Sequence, residues 1–196
     1  LDVGIQEGIF KKHGIEVDWL INNAGFGSMG DFAGLELGRE LEMIDLNISC
    51  LVSLTHRYLQ GMRERRSGTI INVSSAAGFQ PIPFMATYAA TKAFVTSFSA
   101  AVAEENRPFG IQVLALCPGS TKTNFFEAAK MDRALAVKGQ ETAEDVVETA
   151  LGAVGRRRSK IVSGLTNWLV ASAVNFVPDA LITRVMAKGM RSRFQK

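Results

Sequence analysis

Thr69-Ile-Ile-Asn-Val-Ser-Ser-Ala-Ala-Gly78 is an apolar run that ends in two small hydroxyl side chains and a glycine. Three further runs rich in Val, Ile, Leu or Ala occur at Val17 to Asn22, Ile111 to Cys117 and Lys160 to Ser163. These runs are mostly continuous rather than alternating, which is typical of strands that are buried on both faces. We therefore predict four strands, the second of them at Thr69 to Ser74.

Segments with helical spacing separate the predicted strands, chiefly Glu36 to Arg65, Tyr88 to Asn106 and Ala143 to Gly155. This alternation predicts an α/β fold, with a doubly wound parallel sheet and helices on both of its faces. In such folds ligands bind beyond the carboxyl ends of the strands. Functional side chains are therefore expected directly after the apolar runs.

The composition indicates one globular unit, since the chain has 196 residues, of which 47% are hydrophobic and 21% are charged. Cys50 and Cys117 lie in apolar stretches and have no metal-ligand spacing with His13 or His56. We expect two buried reduced thiols and no metal site. Because no export signal opens the sequence, we also expect a cytoplasmic protein.

Charge is distributed unevenly along the chain. Residues 1–150 carry 13 basic and 18 acidic side chains, a net charge of −5, whereas residues 151–196 carry 9 basic and 1 acidic, a net charge of +8. The basic end also contains an apolar run, Leu165 to Ile182, whose polar interruptions argue against a membrane span. We expect at most weak contact with a membrane surface there, and no nucleic-acid binding because a reader motif is lacking.

Tyr88-Ala-Ala-Thr-Lys92 places a phenol and an ammonium four residues apart, on one face of a helix. A nearby cation favours the phenolate, so Lys92 is expected to lower the pKa of Tyr88 and make it an acid or base. The alternative is a surface helix with a long lysine stem. Ser75 favours the catalytic interpretation because it ends a predicted strand thirteen residues earlier, and Ser74 is the second choice for that hydroxyl.

Five motifs in order, spread over residues 17–123, resemble the short-chain dehydrogenase/reductase family. They are Asn22-Asn-Ala-Gly25, Asn47 in Asp45-Leu-Asn-Ile, Ser75, Tyr88 with Lys92, and Pro118-Gly119 with Thr123. The resemblance implies a single-domain Rossmann-like fold, residues 1–164 being a partial core and residues 165–196 a helical extension of it. It also implies a nicotinamide cofactor, NADP or NAD, with NADP favoured.

Roles follow from the resemblance for four catalytic residues. Tyr88 would exchange a proton with the substrate oxygen, and Ser75 would hydrogen-bond the same oxygen. Lys92 would hold the ribose hydroxyls, and Asn47 would hold a water that links Lys92 to solvent; the alternative for Asn47 is a buried cap. The implied cofactor contacts are Asp2, Asn22, Ala24, Gly25, Tyr88, Lys92, Pro118, Gly119, Thr121 and Thr123.

Two of these assignments have competing interpretations. Asn22 could be a simple turn former, since Asn and Gly are common in turns. Gly25-Phe-Gly-Ser-Met-Gly30 matches the G-x-G-x-x-G fingerprint, and Asp45 follows its first glycine by twenty residues. That fingerprint needs its acidic residue at the end of the next strand, whereas Asp45 has helical spacing, so we reject the match.

The resemblance also implies a strand, a glycine-rich phosphate loop, a helix and a second strand that do not precede Leu1. We expect N-terminal residues beyond this sequence. Without those strands the strand at Val17 would have an exposed apolar edge.

The implied function is NAD(P)-dependent interconversion of a carbonyl and an alcohol. An apolar substrate is expected, because the extension offers lining side chains that are apolar: Trp168, Leu169, Val170, Phe176 and Val177. The extension could equally pack on the core or on another subunit. A non-catalytic cofactor-binding or truncated scaffold protein is the alternative function, and an epimerase or dehydratase would need a larger substrate domain. The resemblance also implies a homodimer or homotetramer, with subunit contacts formed by the helical segments Glu36 to Arg65 and Tyr88 to Asn106.

Overall fold

Four parallel strands form one sheet in the computed structural model, which describes residues 12–123, 125, 140–156 and 158–194. The strands are β1 (Trp19–Asn22), β2 (Gly68–Val73), β3 (Ile111–Cys117) and β4 (Lys160–Val162). They pair in the order β1-β2-β3-β4, each parallel to its neighbour. All four predicted strands are confirmed, and their carboxyl ends lie at one edge of the sheet.

Helices connect the strands and extend the chain after β4. They are α1 (Leu37–Ile44), α2 (Leu51–Arg65), α3 (Ala86–Asn106), α4 (Ala143–Ala153), α5 (Leu165–Ala173) and α6 (Asp179–Phe194). A π-helical turn at Asp45–Cys50 joins α1 to α2, so the predicted segment Glu36 to Arg65 is helical but not one regular α-helix. Single-turn π-helical insertions occur frequently at functional sites.

Both faces of the sheet are covered by helices, as predicted. Ile70, Ile111 and Val113 belong to a core cluster with Leu59 and Met62 of α2. Ile71 points to the opposite face, because successive strand residues alternate, and it packs in a second cluster that includes Val146 of α4. This three-layer packing fixes the positions of the strand termini. It therefore also fixes the positions of the loops that follow the strands.

Strand β1 pairs with β2 on one side only, within the part of the chain that the structure describes. Trp19 and Ile21 point to the same face of the sheet, and they are 44% and 57% exposed. These side chains are exposed on a face of the sheet, so the exposed edge expected for this strand stays a prediction. Leu20 points the other way and packs on the cluster beneath α2.

The two cysteines differ in their surroundings. Cys117 is buried as predicted, whereas Cys50 is half-buried, so the prediction of burial is wrong for Cys50. Cys50 ends the π-helical turn one position before the buried Leu51, and that step rotates its side chain away from the core. Both are free thiols.

The five apolar side chains expected to line a cleft or pack on the core are Trp168, Leu169, Val170, Phe176 and Val177. All five are exposed, by 37% to 90%. Ala171 is the side chain of α5 that is buried. The structure therefore does not pack these five side chains on the core.

Candidate active site

Tyr88 and Lys92 lie in the first two turns of α3, and both side chains are buried. Lys92 Nζ donates a hydrogen bond to the carbonyl oxygen of Val73, 2.9 Å away at the end of β2. Its ammonium lies 5.8 Å from the centre of the Tyr88 ring. One helix turn therefore delivers a phenol and an ammonium to the carboxyl end of the neighbouring strand.

Ser75 lies just beyond β2, in extended backbone, and meets Tyr88. Its hydroxyl accepts a hydrogen bond from the Ala77 backbone N–H at 3.1 Å and donates to the Pro118 carbonyl at 3.5 Å. The Ser75 hydroxyl also lies close enough to Tyr88 to lower the pKa of its phenol by hydrogen bonding. The two hydroxyl groups thus lie on the same side of the sheet, close enough to contact one ligand atom.

Ser74 points the other way, into the packing between β2 and α3. Its hydroxyl donates to the Lys92 carbonyl oxygen at 2.7 Å and lies 2.7 Å from the Thr96 hydroxyl. The side chain is buried. Since both contacts are to α3, Ser74 fastens that helix to the strand and does not replace Ser75 beside Tyr88.

Asn47 lies in the π-helical turn and ties the loop after β1 to α3. Its amide group donates to the Phe26 carbonyl at 3.0 Å and to the Thr91 hydroxyl at 3.1 Å. Its side-chain oxygen accepts the Phe26 N–H at 3.2 Å. Thr91 in turn donates to the Tyr88 carbonyl at 2.8 Å. Asn47 therefore holds the backbone on both sides of the Tyr88 and Lys92 pair.

Burial dominates the acid–base properties of the site. It raises the pKa of Tyr88, and hydrogen bonding with Ser75 opposes that rise. It lowers the pKa of Lys92 from 10.5 to about 8, an effect that coulombic attraction to Cys117 partly offsets. The predicted lowering of the Tyr88 pKa by Lys92 is thus wrong for this structure. The physical reason is that removal of a phenolate from water outweighs a cation that is itself bound to Val73.

Glycines let the loop after β1 approach these side chains closely. A methyl group added at Gly25 would lie 2.8 Å from Asn47 Oδ1 and 3.5 Å from Lys92 Nζ. A methyl group at Gly27 would lie 3.0 Å from the Phe125 ring and 3.1 Å from the Tyr88 ring. Gly25 and Gly27 of the rejected fingerprint therefore allow close packing against the candidate site residues. Asp45 lies in the π-helical turn rather than at a strand end.

Asn22, predicted as a cofactor contact or a turn former, ends β1 with its side chain buried. Its amide group donates to Asn72 Oδ1 at 2.8 Å and to the Thr55 hydroxyl at 3.2 Å. Asn72 then donates to the Ser99 hydroxyl at 2.9 Å. These bonds join α2, β1, β2 and α3 beneath the site. Asn22 Oδ1 is buried and has no partner among the described residues.

The loop after β3 holds the remaining predicted cofactor contacts. The Pro118 carbonyl accepts the Ala76 N–H at 2.7 Å, which joins this loop to the one after β2. Thr121 pairs with Glu141 in an isolated bridge, and its hydroxyl donates to the Gly119 carbonyl at 3.2 Å. Thr123 caps the next turn by accepting the Phe125 N–H at 3.2 Å.

A polar cluster fastens α5 to that loop. Asn167 Nδ2 donates to Glu141 Oε2 at 3.1 Å and to the Ser163 carbonyl at 2.8 Å, and the Ser163 hydroxyl donates to Glu141 Oε1 at 2.7 Å. The Asn167 side chain lies directly against Gly119, where a methyl group would collide with it. Gly119 is thus covered by α5.

Sequence reasoning missed several residues of this site. Thr91 lies in the turn between Tyr88 and Lys92, and its hydroxyl accepts a hydrogen bond from Asn47. The sequence does not reveal this contact, because it depends on where the fold places Asn47. Phe125, whose ring centre lies 5.5 Å from that of Tyr88, has no pattern that marks it. Ala24 lies in the loop after β1, and Asp2 lies outside the described residues. Among the described residues, no group of three His, Cys, Asp or Glu side chains could hold a metal ion.

A family model described as short chain dehydrogenase matches residues 5–134, more than half of the chain. The chain belongs to the short-chain dehydrogenase family. The site of this family member brings Ser75, Tyr88 and Lys92 together. Asn47 lies beside them in the π-helical turn and donates to Thr91 of α3.

Relatives of this short-chain dehydrogenase include named reductases and dehydrogenases. A very-long-chain 3-oxoacyl-CoA reductase from Anas platyrhynchos is 30% identical over 208 residues, which cover 100% of this chain and 64% of the relative. A 17-beta-hydroxysteroid dehydrogenase type 3 from Mus musculus is 32% identical over 177 residues, covering 87% of this chain and 55% of the relative. The chain thus spans somewhat over half the length of these relatives.

A solved short-chain dehydrogenase from Sphingobium yanoikuyae, in complex with NADPH, has the same fold. The match has a TM-score of 0.73 and 29% sequence identity, and it covers 84% of this chain and 64% of the other. The α/β fold with a parallel Rossmann-like sheet, predicted from the sequence, is therefore confirmed.

Proposed function

We propose that this short-chain dehydrogenase interconverts a carbonyl and an alcohol with a nicotinamide cofactor, NADP(H) in preference to NAD(H). The observation that carries the proposal is that the Ser75 hydroxyl lies beside Tyr88, close enough to influence the pKa of its phenol, with the Lys92 ammonium one helix turn further on. Two hydroxyl groups that lie side by side can both bond one substrate oxygen, which is the atom that gains or loses the proton.

Tyr88 acts as the proton donor when a carbonyl is reduced. Burial raises its pKa, so the phenol keeps its proton at neutral pH. As negative charge develops on the substrate oxygen, Tyr88 transfers that proton while Ser75 donates a hydrogen bond. Alcohol oxidation reverses the transfer, and Tyr88 then has to receive the proton.

Lys92 is proposed to bind the cofactor ribose. An ammonium group has three donors, and among the described residues the Val73 carbonyl accepts one of them. Gly25 supports the same assignment, because its missing side chain leaves backbone close to both Lys92 and Asn47. When bound, the nicotinamide would supply or accept the hydride. Asn47 is proposed to hold a water on the proton path from Lys92 to solvent.

An apolar ketone, aldehyde or matching alcohol is the proposed substrate. Phe125 packs on the Tyr88 ring, which puts an aromatic side chain against the proposed proton donor. The relatives named for very-long-chain 3-oxoacyl-CoA and for a hydroxysteroid support an apolar substrate class.

We also propose that the protein is a cytoplasmic homodimer or homotetramer with its subunit contact on α2 and α3. Phe94 of α3 is 38% exposed and stacks on Phe98 with ring centres 5.7 Å apart. An exposed Phe94 stacked on a half-buried Phe98 on a long helix suits a contact between subunits.

Turnover of the reduced cofactor, followed by its absorbance against a panel of apolar ketones, tests the proposed activity. Tyr88→Phe removes the transferred proton and should lower kcat by about 100-fold or more. Tyr58→Phe is the matched control, because Tyr58 packs beside the core cluster and not at the site. Equal turnover in the wild type and Tyr88→Phe would rule out the acid–base role of Tyr88.

A further inference from the structure

The C-terminal segment, residues 165–194, exposes a concentration of large apolar side chains. It provides eight of the seventeen large hydrophobic side chains that are exposed in the described part of the chain. The eight are Leu165, Trp168, Leu169, Val170, Phe176, Val177, Leu181 and Val185. Single exposed apolar residues are ordinary, but eight of them within thirty consecutive residues indicate an interaction surface.

Basic side chains lie next to this apolar group on α6. Arg184, Lys188 and Arg191 are exposed and are spaced by four and three residues, which puts them along one side of the helix. Leu181 and Val185 lie beside them on the same exposed half of α6. Over residues 165–194 of the sequence, Asp179 is the sole acidic residue. The surface is therefore apolar and cationic together.

This combination favours a lipid surface over a second copy of the chain. A two-fold symmetric dimer through this face would enclose Arg184, Lys188 and Arg191 of both copies in one interface, and the repulsion among these like charges would oppose it. The surface of an anionic bilayer instead attracts each basic side chain and accepts the apolar ones between its headgroups. No helix in the described ranges is long and apolar enough to cross a bilayer.

We propose that the C-terminal segment binds the surface of anionic membranes, with α5 and α6 lying along the headgroup region. Leu181, Val185 and Trp168 insert among the lipids, while Arg184 and Lys188 face the lipid phosphates. The proposal concerns binding alone and does not depend on catalytic activity.

Flotation of the full chain with lipid vesicles tests the proposal. We expect the protein to float with vesicles of equal parts phosphatidylcholine and phosphatidylglycerol, and to remain behind with phosphatidylcholine alone. Leu181→Ser with Val185→Ser should weaken the apparent affinity about tenfold or more, because two apolar anchors are lost. The control is Val147→Ser with Leu151→Ser, a pair on α4 with the same spacing and 54% exposure at both positions. It should float like the wild type.

Charge is tested separately by Arg184→Gln with Lys188→Gln, which leaves the apolar group intact. These exposed side chains can change without loss of the fold. We expect binding to anionic vesicles to weaken about tenfold or more, since each basic residue near such a surface contributes about 1 kcal/mol. Equal flotation of this variant and the wild type, or equal flotation with both vesicle types, would overturn the charge component and with it the proposal.

A spectroscopic measurement locates the contact. The chain has two tryptophans, so Trp19→Phe leaves Trp168 as the single reporter. Its fluorescence should shift to shorter wavelength when anionic vesicles are added, because the indole leaves water. An unchanged emission spectrum, or a dimer in size-exclusion chromatography that Leu181→Ser with Val185→Ser dissociates, would contradict the membrane assignment and favour a second copy on this face.

Discussion

Lys92 is a buried cation whose charge opposes folding, and this predicts an unusual pH dependence for Lys92→Met. Burial lowers the pKa of Lys92 from 10.5 to about 8, so the folded chain holds this proton less tightly than the unfolded chain. The cost to stability is fully present below pH 8, shrinks as the pH rises from 8 to 10.5, and vanishes above 10.5. Each pKa unit corresponds to about 1.4 kcal/mol, so the charge costs about 3 kcal/mol at pH 7 and less than about 1 kcal/mol at pH 10.

The wild type should therefore gain stability relative to Lys92→Met as the pH rises. Met fills a similar volume but carries no charge, so its stability lacks this pH dependence. The difference in unfolding free energy between the two proteins should change by about 2 kcal/mol between pH 7 and pH 10. Comparison of pH values within each protein also removes the constant effect of losing the hydrogen bond to Val73.

Urea unfolding at several pH values measures this change through the midpoint and slope of each transition. Lys188→Met serves as the control, because Lys188 is an exposed lysine on α6. Its stability should follow that of the wild type across the whole pH range. If Lys92→Met and the wild type keep a constant difference from pH 7 to pH 10, the ammonium is not held in a desolvated position and our account of the site is wrong.

Two further substitutions test the packing that supports the site. Gly25→Ala would put a methyl group 2.8 Å from Asn47 Oδ1, and it should lower stability by about 1–3 kcal/mol together with turnover. Gly152→Ala in α4 has nothing within 4 Å and should be neutral or stabilise by up to about 1 kcal/mol; equal effects of the two in thermal unfolding would contradict the close approach of Gly25. Asn72→Ala removes two buried side-chain hydrogen bonds and should cost about 2–4 kcal/mol, against about 1 kcal/mol for Thr55→Val, which removes one. If Asn72→Ala lowers the free energy of unfolding in urea by no more than Thr55→Val does, this hydrogen-bond network contributes little to stability.

The sequence predicts the sheet well because burial on both faces requires long apolar runs, and such runs at Ile70 and Val113 are visible without a structure. The position of Tyr88 relative to Lys92 is equally visible, since helix geometry is local. The direction of the Tyr88 pKa shift cannot be predicted from the sequence, because it depends on how far folding removes the phenol from water. Phe125 and Asn167 also escape prediction, because they reach the site only through the tertiary fold.

Burial pushes the two central groups of the site in complementary directions, towards a neutral phenol and a neutral amine. At pH 7 Lys92 still carries its charge in most molecules, since its pKa is about 8. Tyr88 is then a protonated acid beside a cation, a pairing that favours proton release as soon as a substrate oxygen begins to take up negative charge. The charge on Lys92 thus costs folding stability because it is desolvated, and the same desolvation strengthens its attraction for the developing phenolate. Desolvation of the Lys92 ammonium is the origin of both the loss of folding stability and the proposed catalytic effect. A variant that regains the stability by removing this charge should therefore also lose activity.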